Sequence, residues 1–261
     1  MNTQKSKSGL FKYMPLLKEL VIRDIKIRYR HSVLGILWTV LSPLLNMIVM
    51  TVVFQTIFAN KIEFFALYVM IGNIVFSFVS ESTNRGMNAI LWNASLIKKV
   101  YIPKYLFPLA NVASSLVNFG FSFIAMIFVM LIIRAPFPPM MLTFIVPLIY
   151  LLVFAFGLSL ILCSINVFFR DLQHLYGVFL TVWMYISAIF YDVDMLGNGF
   201  VKTVIQLNPL YQFIRFFREI IMTGTFPGLL HNLYCAGWAV LMMLIGALFF
   251  KVTQKNFILH I

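Results

Sequence analysis

Few side chains in this sequence could carry bond-breaking chemistry, and their spacing does not assemble them. No GxxxxGK[ST] stretch is present to cradle a nucleotide, and neither HExxH nor GxSxG occurs. His31 and His174 sit at the edges of apolar runs, where an interfacial side chain is the simpler reading than a ligand. Cys163 and Cys235 lie inside separate apolar runs and suggest neither a disulfide framework nor a zinc site. Glu81 closes an apolar run, and Arg85, four residues on, shares its helix face and could pair with it. Asp192 and Asp194 are the one close pair of acids. Carriers driven by proton or sodium gradients keep carboxylates near mid-membrane. A chain with only Glu81 to offer is poorly equipped for that, so energy for any transport would come from another subunit.

Two basic, amphipathic stretches could receive such a subunit. From Leu10 to Arg30, apolar Leu10, Met14, Leu17, Val21 and Ile25 recur near helical spacing, with Lys12, Lys18, Glu19, Arg23 and Lys26 largely between them. Arg28 and Arg30 follow. This pattern predicts a helix lying along a membrane surface, either as a basic topogenic tail or as an interface. Residues 86–104 set Lys98, Lys99 and Lys104 beside Ile90, Leu91, Trp92, Leu96, Ile97 and Val100, a short amphipathic helix ended by Pro103. It is either a lipid-facing loop or a docking helix.

The elements that position these stretches are membrane spans. Of the 261 residues, 62% are hydrophobic and 11% charged, against about 25% charged in soluble domains. Uncharged runs of roughly 20 residues recur, each able to cross ~30 Å of hydrocarbon. They do not alternate as barrel strands do. The expected fold is therefore all-α: residues 1–32 form a cytoplasmic tail and interface helix, and residues 33–261 a six-span domain. Its spans fall near 33–58 (with a kink at Pro43), 64–80, 105–133, 142–168, 172–191 and 228–250. An outer loop lies near Asn60–Glu63, a coupling loop at 86–104 and an outer segment at 192–227, whose charges Lys202, Arg215, Arg218 and Glu219 stop it crossing as one helix. That segment predicts surface helices or a pair that dips in and returns. Fifteen of the twenty Lys and Arg fall on the side of the N-terminus and five on the other, which puts both termini in the cytoplasm. The same rule explains the net charge of +12 better than nucleic-acid binding does. The polar N-terminus has no apolar core ahead of a cleavage site and reads as uncleaved. Trp38, Phe54, Trp183, Tyr185, Phe190 and Tyr191 lie along the first and fifth spans, as packed or lipid-facing rings or as stacking surfaces for sugars in a translocation path.

Four stretches in order carry a family resemblance. RDIKIRYRHSVLGILWTVLSPLL, SLIKKVYIPKYLFPLANV, INVFFRDLQHL and LNPLYQFIRFFREIIMTG resemble parts of the membrane subunits of type-2 ABC exporters for polysaccharides and polyol phosphates, the permeases of O-antigen, capsule and teichoic acid. The resemblance implies a homodimer in a bacterial plasma membrane, joined to two copies of a separate ATPase that binds ATP and magnesium. This chain itself would hold no cofactor, metal or catalytic residue and would bind no nucleic acid. Carried over, the ATPase contacts are Arg23, Lys26, Arg28 and Arg30, then Leu96, Ile97, Lys98, Lys99, Tyr101 and Lys104. The outer gate is Asn208, Pro209, Tyr211, Arg215 and Arg218. The aromatic residues named above line the path for a lipid-linked glycan or polyol phosphate polymer. Where the family often carries proline after the fifth span, this chain has Ala188–Tyr191. The alternatives are a type-2 exporter of a drug or simple lipid, and a membrane enzyme using Asp192 and Asp194 on lipid-linked sugars.

Overall fold

A computed structural model describes residues 13–30, 34–35, 37–58, 62–195 and 199–261. The expectations for the polar tail, the first turn of the interface helix, His31, Val33, Asn60 and Lys61 lie outside the described residues. Every regular element among the described residues is helical. They are α1 (Met14–Tyr29), α2 (Leu37–Phe58), α3 (Phe65–Trp92), α4 (Ala94–Lys99), α5 (Leu106–Ile133), α6 (Ile145–Phe168), α7 (Leu172–Tyr185), α8 (Phe200–Leu207), α9 (Pro209–Arg218), α10 (Leu229–Thr253) and α11 (Phe257–His260). Among the described residues, five stretches are long and apolar enough to cross a membrane: Leu37–Phe54, Phe65–Trp92, Leu106–Ile133, Pro139–Phe168 and Leu229–His260.

The long helices alternate in direction. The end of α3, the start of α5 and the ends of α6 and α10 meet in one apolar cluster, where Ala89, Phe107, Val167 and Phe250 pack with Leu20 of α1, Ile97 of α4 and Phe257 of α11. This is the α4 end of the bundle. At the opposite end, α9 packs among α3, α6 and α10 in the main core, with Leu210, Phe213, Ile214 and Phe216 fully buried. Between the ends, Gly157 of α6 faces Gly246 of α10. A Cβ at either position would strike backbone of the other helix, so the crossing depends on glycine. Small residues let helices approach closely where lipid gives no hydrophobic drive between them.

Two boundaries differ from the sequence expectation. The second span does not end at Ser80, because α3 runs unbroken to Trp92. Its polar residues bond back to their own helix: Thr83 donates to the Val79 carbonyl at 2.6 Å and Asn88 to that of Asn84 at 3.1 Å. The loop therefore shrinks to the single residue Asn93 before α4. The fifth span does not reach Tyr191, because α7 stops at Tyr185. Fourteen residues rise only ~21 Å, short of the ~30 Å of a bilayer core. Chain beyond it turns at Ala188, whose φ of 48° is uncommon for a residue with a Cβ. Within residues 192–227, α9 is buried in the bundle, while α8 stays at its surface with Phe200, Val201 and Leu207 exposed.

Candidate functional site

At the α4 end, residues 94–104 form an anchored projection. Ile97 is buried in the local cluster and Leu96 packs against it. Lys98 and Lys99 are exposed, and Tyr101 is 97% exposed. The joint behind them is Asn93, whose side chain donates to the Ala89 carbonyl at 2.8 Å and accepts from Arg23 of α1 at 2.9 Å. One residue thus ties α1, α3 and α4 together. Arg23 also grips Asp24 at 3.0 Å. Lys26 and Arg30 remain exposed along a shallow groove shared with Glu19 and Ile22.

Two of the basic residues expected on that face turn inward. Arg28 forms an ion pair with Glu81, so the partner of Glu81 comes from α1 rather than from Arg85 one turn along its own helix. Lys104 donates to the Gln254 carbonyl at 2.6 Å and lies over the ring of Phe257, 5.6 Å from its centre. Burial lowers its pKa from the ordinary lysine value. The C-terminal residues are likewise no loose tail. α11 folds back so that Phe257 is buried between Phe168 and Phe250.

At the opposite end, two polar side chains hold the broken helix. Asn208 caps α9 by accepting from the Leu210 amide at 3.0 Å, the position before Pro209 where asparagine is favoured. It also accepts the Trp183 indole N–H at 2.9 Å and donates to the Ile186 carbonyl and the Ser187 hydroxyl, each at 3.0 Å. Arg218 is 7% exposed. Its guanidinium donates to the carbonyls of Ala188 (3.0 Å), Ile189 (3.0 Å) and Tyr68 (3.2 Å) and lies 3.3 Å from the centre of the Tyr68 ring. Gly72 leaves the space, since a Cβ there would come within 3.0 Å of the guanidinium. Non-helical backbone at membrane depth needs such partners. Arg215 and Tyr211 line a cavity of about 570 Å³ at this end, and Arg215 pairs with Glu219 at 2.7 Å. Asp194 pairs with Lys202 at 3.2 Å.

The aromatic residues divide. Trp38 is 43% exposed and Tyr185 57%. Trp183 and Phe190, expected on a path, are buried within this chain at 6% and 4%: Trp183 on α7 packs against Phe154 and Asn208, and the turn after α7 folds Phe190 inward. Phe190 stacks on Phe54 with centroids 5.5 Å apart, and the Tyr191 hydroxyl donates to the Tyr185 carbonyl at 2.7 Å.

A further polar feature escaped the sequence reading. Thr39, Ser42 and Asn46 on α2, Asn73, Ser77 and Glu81 on α3, and Asn118 and Ser122 on α5 line one cleft of about 300 Å³. Their spacings of three and four residues put each set on one helix face, a signal present in the sequence but hidden inside otherwise apolar runs. Arg28, Trp38, Pro43 and Ile74 complete the lining.

A bundle of membrane-crossing helices with an anchored, lysine-bearing projection at one end is the build of a transporter's membrane subunit. The family described as ABC-2 type transporter matches residues 15–222, and the chain belongs to that family. It is 29% identical to the O-antigen export system permease protein RfbA of Myxococcus xanthus over 95% of this chain and 96% of the relative. It is 30% identical to the protein of that name from Klebsiella pneumoniae over 85% of each. It is 22% identical to the polysialic acid transport protein KpsM of Escherichia coli over 96% of this chain and 98% of that one.

Proposed function

We propose that this chain is the permease subunit of an ATP-driven exporter that carries a lipid-linked polysaccharide out across a bacterial plasma membrane. The observation that carries this reading is the near end-to-end similarity to a permease named for O-antigen export. A glycan is polar along its whole length, and drawing it through hydrocarbon would strip its hydrogen bonds at several kcal/mol per group. Two copies of this chain, paired along the exposed faces of α2 and α7, would give it a path. Trp38 and Tyr185 would present ring faces there, Phe54 and Tyr191 would back them, and Trp183 and Phe190 would hold the wall in place. A polyol phosphate polymer of the teichoic-acid kind fits the same path.

The energy would come from two copies of a separate ABC ATPase holding ATP and magnesium. It would press on Lys98, Lys99 and Tyr101, with Lys26 and Arg30 as the neighbouring contact. Because Asn93 joins α4 to α3 and α1, movement of the projection passes directly into the bundle. Six crossings, with α7 and the α8–α9 hairpin together making the fifth, would leave both termini in the cytoplasm.

The test is made in cells that display a surface polymer and encode this chain. Deletion is expected to leave the polymer inside, and restoring the chain to return it to the surface. The double variant Lys98→Glu, Lys99→Glu should export about tenfold less while reaching the membrane normally, the effect of losing ~1.4 kcal/mol of docking energy. Unchanged surface polymer after deletion would refute the reading.

A further inference from the structure

The cleft between α2, α3 and α5 carries a band of amides and hydroxyls on walls that are otherwise mostly apolar, with Pro43, Ile74 and Trp38 among them. Counting 1.5 Å per residue, Asn46 lies ~13 Å along α2 and Asn73 ~12 Å along α3 from their first residues, so the cleft reaches toward the middle of the bundle. Its base is closed by Glu81, which takes Arg28 as ion-pair partner and also accepts hydrogen bonds from Asn118 at 2.9 Å and Ser115 at 3.3 Å. The charge at the base is thereby matched. Above it, Ser42, Asn46, Asn73, Ser77 and Ser122 make no side-chain hydrogen bond to any described residue, and Ser42, Asn46 and Ser77 are exposed. Trp38 stands at the rim with its ring accessible.

Polar side chains facing hydrocarbon without partners are costly, so the cleft needs an occupant that forms hydrogen bonds. A carboxylate or phosphate is a poor fit, since the one cation lining the cleft among the described residues, Arg28, is already paired with Glu81. A second apolar helix would leave the amides and hydroxyls unmet. What fits is a neutral, hydroxyl-rich unit, with amide and hydroxyl groups as both donors and acceptors and the indole as an apolar face. At about 300 Å³ the cleft is at the small end of ligand sites, which run ~300–1,000 Å³.

We infer that this cleft is a sugar-binding site within the single protomer, which opens onto the path at Trp38 and holds a short piece of the exported glycan at its side. The inference rests on the export reading above. The residues that would contact sugar are Ser42, Asn46, Asn73, Ser77 and Ser122, with Trp38 stacking. Arg28 and Glu81 are positioning residues, because they fix α1 against the base.

The experiment places photoreactive benzoylphenylalanine at Ser77, and at Phe128 on the exposed outer face of α5 as the control, in cells that make the polymer. Irradiation should give a glycan-bearing adduct at Ser77, none at Phe128, and none at either position in cells that lack the polymer. The pair Asn73→Ala, Ser77→Ala should lower export about fivefold, the factor for one lost hydrogen bond of ~1 kcal/mol, without changing the yield of the protein. An adduct of twice the chain mass without glycan would overturn the inference and make the cleft a contact between copies. Absence of any glycan adduct, with export unchanged in the double variant, would also overturn it. Deletion of the whole chain separates the two levels. If deletion abolishes surface polymer but Ser77 captures no glycan, only the cleft assignment falls. If deletion leaves surface polymer intact, the export reading falls with it.

Discussion

Two polar regions sit inside this apolar bundle, and they are built on opposite terms. Around Arg218 and Asn208, donors meet the carbonyls that the end of α7 releases, down to the indole of Trp183. In the cleft of α2, α3 and α5, Glu81 at the base is satisfied, while Ser42, Asn46, Asn73, Ser77 and Ser122 above it make no side-chain hydrogen bond to a described residue. The first region uses polarity to make a broken helix stable at membrane depth. The second keeps hydrogen-bonding capacity unspent. A membrane protein retains unspent polar groups at a cost, so the contrast separates a structural network from a site.

Substitutions can break or sharpen that contrast. The largest effect is expected from Arg218→Met. It keeps most of the buried volume but leaves the Ala188 and Ile189 carbonyls, which no helix supplies, without donors, at on the order of 3 kcal/mol in all. Thermal unfolding of the purified chain should show a large fall in midpoint, or the chain should be degraded in cells. A variant as stable as the parent would contradict the role given to this guanidinium. Asn208→Ala loses the helix cap and strands the Trp183 N–H, and should cost about 1–2 kcal/mol in the same assay. Lys104→Ala should cost less, ~1 kcal/mol, and should leave ATPase binding unchanged, because this side chain holds the C-terminal turn and not a partner. Loss of ATPase binding in that variant would return Lys104 to the docking face. The smallest effect on stability belongs to Ser77→Ala, within about 0.5 kcal/mol. If it destabilised the chain as strongly as Asn208→Ala, the cleft would be structural and the contrast would disappear.

Much of this arrangement was legible in the residues. Run length alone placed the third span, expected at 105–133 and found as α5 over Leu106–Ile133. Pro103 and the Lys98–Lys99 pair marked the projection. The end of the second span was placed too early because the polar residues Glu81 to Arg85 look like a membrane edge in one dimension. In the bundle, Thr83 is satisfied by its own helix and Glu81 by α1 and α5. The end of the fifth span was misread for the converse reason. Ile186 to Tyr191 are apolar enough to continue a helix, and the break at Ala188 is held by Arg218, thirty residues later. The cleft was missed because its residues come from three separate runs, each too apolar on average to draw attention to one polar face.

The most direct test of the account is purification of the tagged chain from its native membrane in mild detergent, followed by identification of what accompanies it. Recovery of a soluble subunit carrying a GxxxxGK[ST] loop, at about one copy per copy of this chain and lost in the Lys98→Glu, Lys99→Glu variant, is the expected result. Recovery of this chain alone, under conditions that keep other membrane complexes whole, would contradict the claim that its energy comes from a partner docked on α4.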